Sequence, residues 1–271
     1  MGFVLEIICR AFTLIFFSGL VAGNAWAFVD DAPKRAVEIT SGLSAARWRL
    51  LEDGLEIIQT RTASGTIFSA FRISPDKFTF RIGTQQHPKG ERAAHIGPRL
   101  DAVLVINAGF FGMGKNGKLF PVGLMSAAGV PNGKAWRTSG GYLIFGERTL
   151  IRPSDKGVPH SSAEFVQSKP VLIEPGGRWA MNTNSNIRKK RSLFCLQRDG
   201  KIIISLVTGA GLSLYEAGWL LRSPKDGGYF NCDSAIAMDG GGSTQTWVRG
   251  YPELSYRGVS PVHNFLIMQR K

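Results

Sequence analysis

Cysteine is scarce in this sequence, with three among 271 residues, and neither a CxxC pair nor a His/Cys cluster is present. That excludes a structural zinc site. Acidic residues are also few, 20 against 33 basic ones, for a formal net charge of +13. Long apolar runs are missing: the best candidate, Ala11 to Ala22, is about a dozen residues and is broken by Ser18 and Gly19. It falls short of the roughly 20 apolar residues that span a bilayer. No Gly-x-Ser-x-Gly occurs, and no lysine stands at the Walker position after the run of three glycines. A nucleophile elbow and a P-loop are thereby excluded. His87, His95, His160 and His263 have no carboxylate at a triad-like spacing, which argues against a serine hydrolase built on Ser243. Repeats, low-complexity tracts and long linkers are lacking as well, so nothing divides the chain into several domains.

The short apolar run fits a leader instead. Arg10 opens it and Asn24-Ala25-Trp26-Ala27 closes it, with small residues in an A-x-A arrangement. The expectation is a signal peptide over 1–27 and one domain over 28–271, exported to the periplasm or secreted, with no transmembrane segment after cleavage. A retained membrane anchor is the competing reading, since Glu6 dilutes the positive leader. Cys9 leaves with the leader; Cys195 and Cys232 then either pair or stay as buried thiols. Cleavage removes one Glu and one Arg, so the domain stays strongly basic. Such a balance favours polyanions: teichoic or capsular polymers, phospholipid surfaces, phosphorylated sugars. Nucleic acid is not expected as a partner, because the basic run Arg188-Lys189-Lys190-Arg191 lacks interleaved aromatics.

Alternating apolar residues predict strands. Trp48–Leu51 and Leu55–Thr60 flank Asp53-Gly54, a type I′ hairpin dipeptide, and Ser192–Gln197 and Lys201–Val207 flank Asp199-Gly200 in the same way. Ile67–Ile73, Phe78–Ile82, Ala102–Ile106, Tyr142–Phe145, Ser234–Met238 and Phe265–Met268 read as further strands. One helix is predicted after Ser213, where Glu216 completes a capping box and Pro224 follows the end. Many strands and one clear helix predict an α+β domain, a mostly antiparallel or mixed curved β-sheet with few packed helices.

Two of these strands end in chemistry. Val103-Leu104-Val105-Ile106 runs into Asn107 and Gly109, and Ala235-Ile236-Ala237-Met238 runs into Asp239-Gly240-Gly241-Gly242-Ser243-Thr244. Three glycines pack nothing, so they mark a sharp bend or a close approach to a ligand, and successive amides in such a turn form an anion nest. Arg191, at a strand entry, is placed to share a cleft with Asp239, to clamp a phosphate and to depress the carboxylate pKa.

Taken in order, these segments resemble the phosphodiester glycosidase family. Asn107-Ala108-Gly109-Phe110-Phe111 resembles its Asn-Gly-Gly-Phe-Phe, and Pro121-Val122-Gly123-Leu124 its next Gly-Leu element. Arg191-Ser192 before Asp199-Gly200-Lys201, Met238-Asp239-Gly240-Gly241-Gly242-Ser243-Thr244, and Val262-His263-Asn264 are similar to its later motifs. The likeness spans Val37 to Met268, departing at Ala108, where the family has glycine, and at Leu193-Phe194, where it has small residues. The resemblance implies hydrolysis of a sugar-1-phosphodiester in exported or envelope glycans, between anomeric carbon and phosphate. It implies that Asp239, Arg191 and Asn107 are catalytic and that Gly109, Gly240, Gly241, Gly242, Ser243, Thr244 and Asn264 bind substrate. Arg191 and the glycine amides would hold phosphate, Asn107 and Asn264 would orient sugar hydroxyls, and Ser243 or Thr244 would bind phosphate or water. Glycosidases usually carry a second carboxylate; Glu216 is read as the helix cap, and Glu147, Glu164 and Glu174 lie in weakly defined segments. No cofactor is expected, and a divalent cation such as Ca²⁺ stays open, with no ligand set legible. The alternative is a non-catalytic carbohydrate- or cell-wall-binding module of the same fold.

Overall fold

Residues 189–197 show why the chain folds as it does: along this strand consecutive side chains serve two different cores. In the computed structural model, which describes residues 32–160 and 163–271, strand Lys189–Gln197 lies between Ile202–Leu212 and Cys232–Ala237 in an eight-stranded sheet. Thr66–Ile73, Leu55–Arg61 and Arg49–Glu52 extend it on one side, Val171–Glu174 and Arg178–Trp179 on the other. All of its pairings are antiparallel. Phe194, Ile202, Ile204 and Leu206 enter one core; Leu193, Cys195, Ile203 and Val207 enter the other. A strand buried on both faces needs a continuous apolar run, which these segments have.

The outer core is closed by helices Lys34–Ala45 and Leu214–Leu221. The inner core is closed by two smaller sheets. One is four-stranded, in the order Thr246–Val248, Leu104–Asn107, Asn264–Arg270, Phe78–Thr84. The other is five-stranded, in the order Leu150–Pro153, Gly141–Phe145, Glu164–Ser168, Met125–Ala127, Val130–Asn132. Helix Ala93–Arg99 packs on the far face of the four-stranded sheet, against Val105, Phe265 and Ile267. A hairpin, Phe111–Met113 with Leu119–Pro121, completes the elements named here. The compact unit runs from Ala32 to Lys271.

The α+β, largely antiparallel architecture agrees with the sequence pattern. The hairpins at Asp53-Gly54 and Asp199-Gly200 form with Gly54 at φ +79 and Gly200 at φ +86. Ser213 caps its helix reciprocally with Glu216. Two further helices were not anticipated. In Lys34–Ala45 the buried Ala36, Ile39 and Leu43 carry a helical spacing, diluted by β-branched residues and by Gly42. That glycine lets the helix lie on strand Leu55–Arg61, since a Cβ there would meet the Thr60 hydroxyl. The open question at the cysteines resolves to a disulfide: Cys195 and Cys232 are bonded across neighbouring strands, with Cα atoms 5.8 Å apart. The expected signal peptide lies outside the described residues. Among those residues no helix is long and apolar enough to cross a membrane.

Candidate active site

The eight-stranded and four-stranded sheets meet where strands Cys232–Ala237 and Leu104–Asn107 end. Backbone stitches the chain across that seam, Asp239 N donating to Ala108 O at 2.9 Å, while Met238 N prolongs the pairing within the large sheet by donating to Ser192 O at 2.8 Å. Side chains add to it. Asn107 Nδ2 donates to Asp239 O at 2.6 Å, while its Oδ1 accepts from Ser192 Oγ at 2.6 Å and from Gln245 N at 3.1 Å. Asn264, the first residue of the last strand, receives Gly109 N on Oδ1 at 2.6 Å, and its Nδ2 lies 3.2 Å from His263 Nδ1. Burial lowers the His263 pKa to about 4, so the ring is neutral and Nδ1 accepts.

Within this frame Asp239 is half-buried. Its Oδ1 accepts from Gly240 N at 2.8 Å, and the Ser243 hydroxyl also donates to the carboxylate. Desolvation outweighs both hydrogen bonds and holds its pKa above the ordinary 3.8. Arg191 approaches from the neighbouring strand: a Cβ built on Gly240 would lie 3.7 Å from Arg191 Nη1 and 2.8 Å from Lys190 O. That closeness requires glycine at 240. Two of the three guanidinium nitrogens are held by the protein, Nε by Leu212 O at 3.0 Å and Nη2 by Ile187 O at 3.0 Å. Nη1 is the nitrogen left over among the described hydrogen bonds. The amides of Gly241, at φ +62, and Gly242 are likewise without a protein partner there. A desolvated carboxylate, one fixed guanidinium edge and two open amides are suited to an anion attached to a reacting carbon.

Several expectations need correction. Arg191 does not depress the Asp239 pKa: the two form no ion pair and the carboxyl is shifted upward by burial. The Gly240 amide is taken by Asp239 itself, which leaves Gly241 and Gly242 for a ligand. Asn107 and Asn264 are each 1 % exposed, with both ends of their amides committed to protein partners. Their geometry is that of positioning residues, and orienting sugar hydroxyls does not suit it. Thr244 is fully buried with an unpaired hydroxyl, so of the two hydroxyls only Ser243 reaches the carboxylate. Gly109 is buried with its amide on Asn264, and a Cβ there would run into Val166 and Gln167, so it too serves close packing. Arg188, at the head of the basic run, pairs with Glu216 at 2.7 Å. Among the described residues no three His, Cys, Asp or Glu side chains converge as a metal site would require.

Sequence reasoning missed Ser192 and Gln245 as ties to Asn107, and it missed Gln167. The Gln167 side chain is fully buried, accepting from Trp136 N at 2.9 Å and donating to Trp136 O at 2.7 Å and Ser154 Oγ at 2.8 Å. It pins Trp136 beside Phe110, ring centroids 6.0 Å apart. The available signal was a lone Trp in the polar stretch Lys134-Ala135-Trp136-Arg137.

Comparison with known proteins bears on the family and the fold. A family model described as phosphodiester glycosidase matches residues 101–268, which hold every residue of the site. No curated protein matches the chain. Among solved structures, the auto-inhibited catalytic domain of zebrafish N-acetylglucosamine-1-phosphodiester alpha-N-acetylglucosaminidase is similar with a TM-score of 0.55 and 17 % identity, over 82 % of this chain and 86 % of that one. A hypothetical protein from Synechocystis gives 0.55 and 16 %, over 83 % of this chain and 64 % of its own. A Burkholderia pseudomallei protein described as exported gives 0.56 and 12 %, over 75 % and 74 %. At these identities the likeness is one of fold.

Proposed function

This chain belongs to the phosphodiester glycosidase family, and we propose that it hydrolyses sugar-1-phosphodiesters, cutting the bond from the anomeric carbon to the phosphate oxygen. The coarse class, a glycosidase-type hydrolase, follows from the family. The finer reading is carried by one observation: the half-buried Asp239 carboxylate has no cation paired to it, while Arg191 Nη1 and the Gly241 and Gly242 amides stand unpartnered next to it among the described hydrogen bonds.

In this reading Arg191 Nη1 and the two amides hold the phosphodiester anion, and Asp239 faces the anomeric carbon. The carbon–oxygen bond breaks with its electron pair going to the phosphate. A water oxygen bonds to the anomeric carbon, and its proton passes to Asp239. Because a phosphate monoester is already a weak base, the leaving group needs little protonation, which lessens the need for a second carboxylate. A carboxylate raised by desolvation is the stronger base for that water. Asn107 and Asn264 act through the backbone, fixing Asp239 and Gly109. Trp136, half-exposed beside Phe110, offers a face for a sugar ring. The Cys195–Cys232 disulfide supports an oxidising compartment, and with it the reading that the substrate belongs to exported or envelope glycans.

Hydrolysis of a sugar-1-phosphodiester in ¹⁸O-water tests this. The label is expected on the anomeric hydroxyl of the released sugar. Label in the phosphate would mean P–O cleavage and a different enzyme. Binding of the phosphodiester without turnover would favour the carbohydrate-binding module.

A further inference from the structure

Two loops bound the Arg191–glycine cradle. Segment 185–190 is tied to it through Ile187 O, which accepts from Arg191 Nη2. Segment 256–260 is tied to it from the other side, Val259 N and Ser260 N donating to Gly242 O at 2.9 and 3.0 Å. The loops also meet each other, with Lys190 Nζ 5.3 Å from the centre of the Tyr256 ring. They therefore form one continuous surface. Its chemistry is of a single kind: Lys189 and Arg257 are exposed, Lys190 is half-exposed, and no acidic residue lies in either segment. Each loop also lifts one large aliphatic into water, Ile187 at 58 % and Val259 at 64 % exposure. The second loop is held from beneath, since Arg92 donates to the carbonyls of Arg257, Gly258 and Val259. A rigid loop that spends three hydrogen bonds on presenting a valine to solvent does not bury it within its own fold.

We propose that this rim is a docking face for an anionic lipid surface. Lys189, Lys190 and Arg257 meet the headgroups, and Ile187 and Val259 enter the interface as shallow anchors. Cations interleaved with aliphatics are the composition of interfacial binding, whereas a soluble polyanion would use the charges and leave the aliphatics idle. Charge complementarity extends to the whole molecule, which carries +13. Joined to the hydrolase reading, on which this clause rests, the face makes the substrate a sugar phosphodiester carried on a membrane lipid.

Vesicle flotation of the compact unit Ala32–Lys271 provides the test, using phosphatidylcholine vesicles with and without phosphatidylglycerol. The protein is expected to float with the anionic vesicles only, and less so as salt is raised. Lys189→Gln with Arg257→Gln lowers partitioning about thirtyfold, and Ile187→Ser with Val259→Ser about tenfold. Asp239→Asn is expected to bind as the parent does. No flotation at low salt overturns the proposal, and so does undiminished flotation of the serine pair. Equal retention of parent and serine pair on dextran sulfate, with no vesicle binding, would assign the face to soluble polyanions instead. A phosphodiester attached to lipid in the vesicles should be cleaved more slowly by either pair, while the Lys189→Gln, Arg257→Gln pair cleaves a water-soluble one at the parental rate. Vesicle binding without turnover of any substrate would sink the hydrolase reading and leave the docking face standing.

Discussion

A carboxylate withdrawn from water without a cation destabilises the fold that holds it, and Asp239 is in that state. Its neutral isostere should therefore separate stability from function. Asp239→Asn is expected to lower kcat about a hundredfold or more while the melting temperature stays equal or rises at neutral pH. Because the folded-state pKa is raised, the protonated form is favoured by folding, so that gap should close as pH falls through the folded pKa. The acidic limb of kcat/KM should lie above the ordinary 3.8 for the same reason. His263 shifts the other way, to about 4 from 6.5. A neutral buried ring leaves the unfolded chain binding the extra proton, so stability should drop as pH falls from about 6.5 toward about 4. Denaturation midpoints across that window should show the drop in the parent and lose it in His263→Gln. Gly241 sits at φ +62; Gly241→Ala should cost about 1–2 kcal/mol in unfolding free energy and raise KM by shifting an open amide.

Among the elements, legibility followed local period. Residues 104–106 and 235–237, inside strands Leu104–Asn107 and Cys232–Ala237, are continuously apolar because both faces are buried there, and the helix Leu214–Leu221 announces itself by the Ser213–Glu216 box. That box is testable: Ser213→Ala should lower unfolding free energy by about 1 kcal/mol in denaturant titration. Helix Ala93–Arg99 has neither a cap side chain nor a long period, holds Pro98, and is stabilised by packing on Val105 and Phe265. Short strands such as Val130–Asn132, with three exposed residues, carry no pattern at all and depend on their neighbours in the five-stranded sheet.

At the scale of the whole molecule, the disulfide links strands 37 residues apart in sequence in the centre of the large sheet. Cys195→Ser with Cys232→Ser should lower stability by about 3–4 kcal/mol on the chain-entropy account, measured by thermal unfolding beside the parent. The same scale governs the site. Asp239, Asn107, Arg191 and Asn264 come from four strands in two sheets, and the register of those sheets brings the strand ends together.

The sequence alone settled which strands are buried, where the chain turns and which polar residues stand at strand ends, because period, turn chemistry and glycine runs act over a few residues. The motif order also pointed to the family, and the matching segment holds every residue of the site. Roles were decided only in three dimensions. Whether Arg191 pairs with Asp239 or with the carbonyls of Leu212 and Ile187 depends on distances of a few ångströms across a seam between sheets. Whether Asn107 meets a sugar or closes on Ser192 and Gln245 does too. Hydrogen bonding and desolvation act at that range between residues far apart in sequence, and no local pattern encodes them.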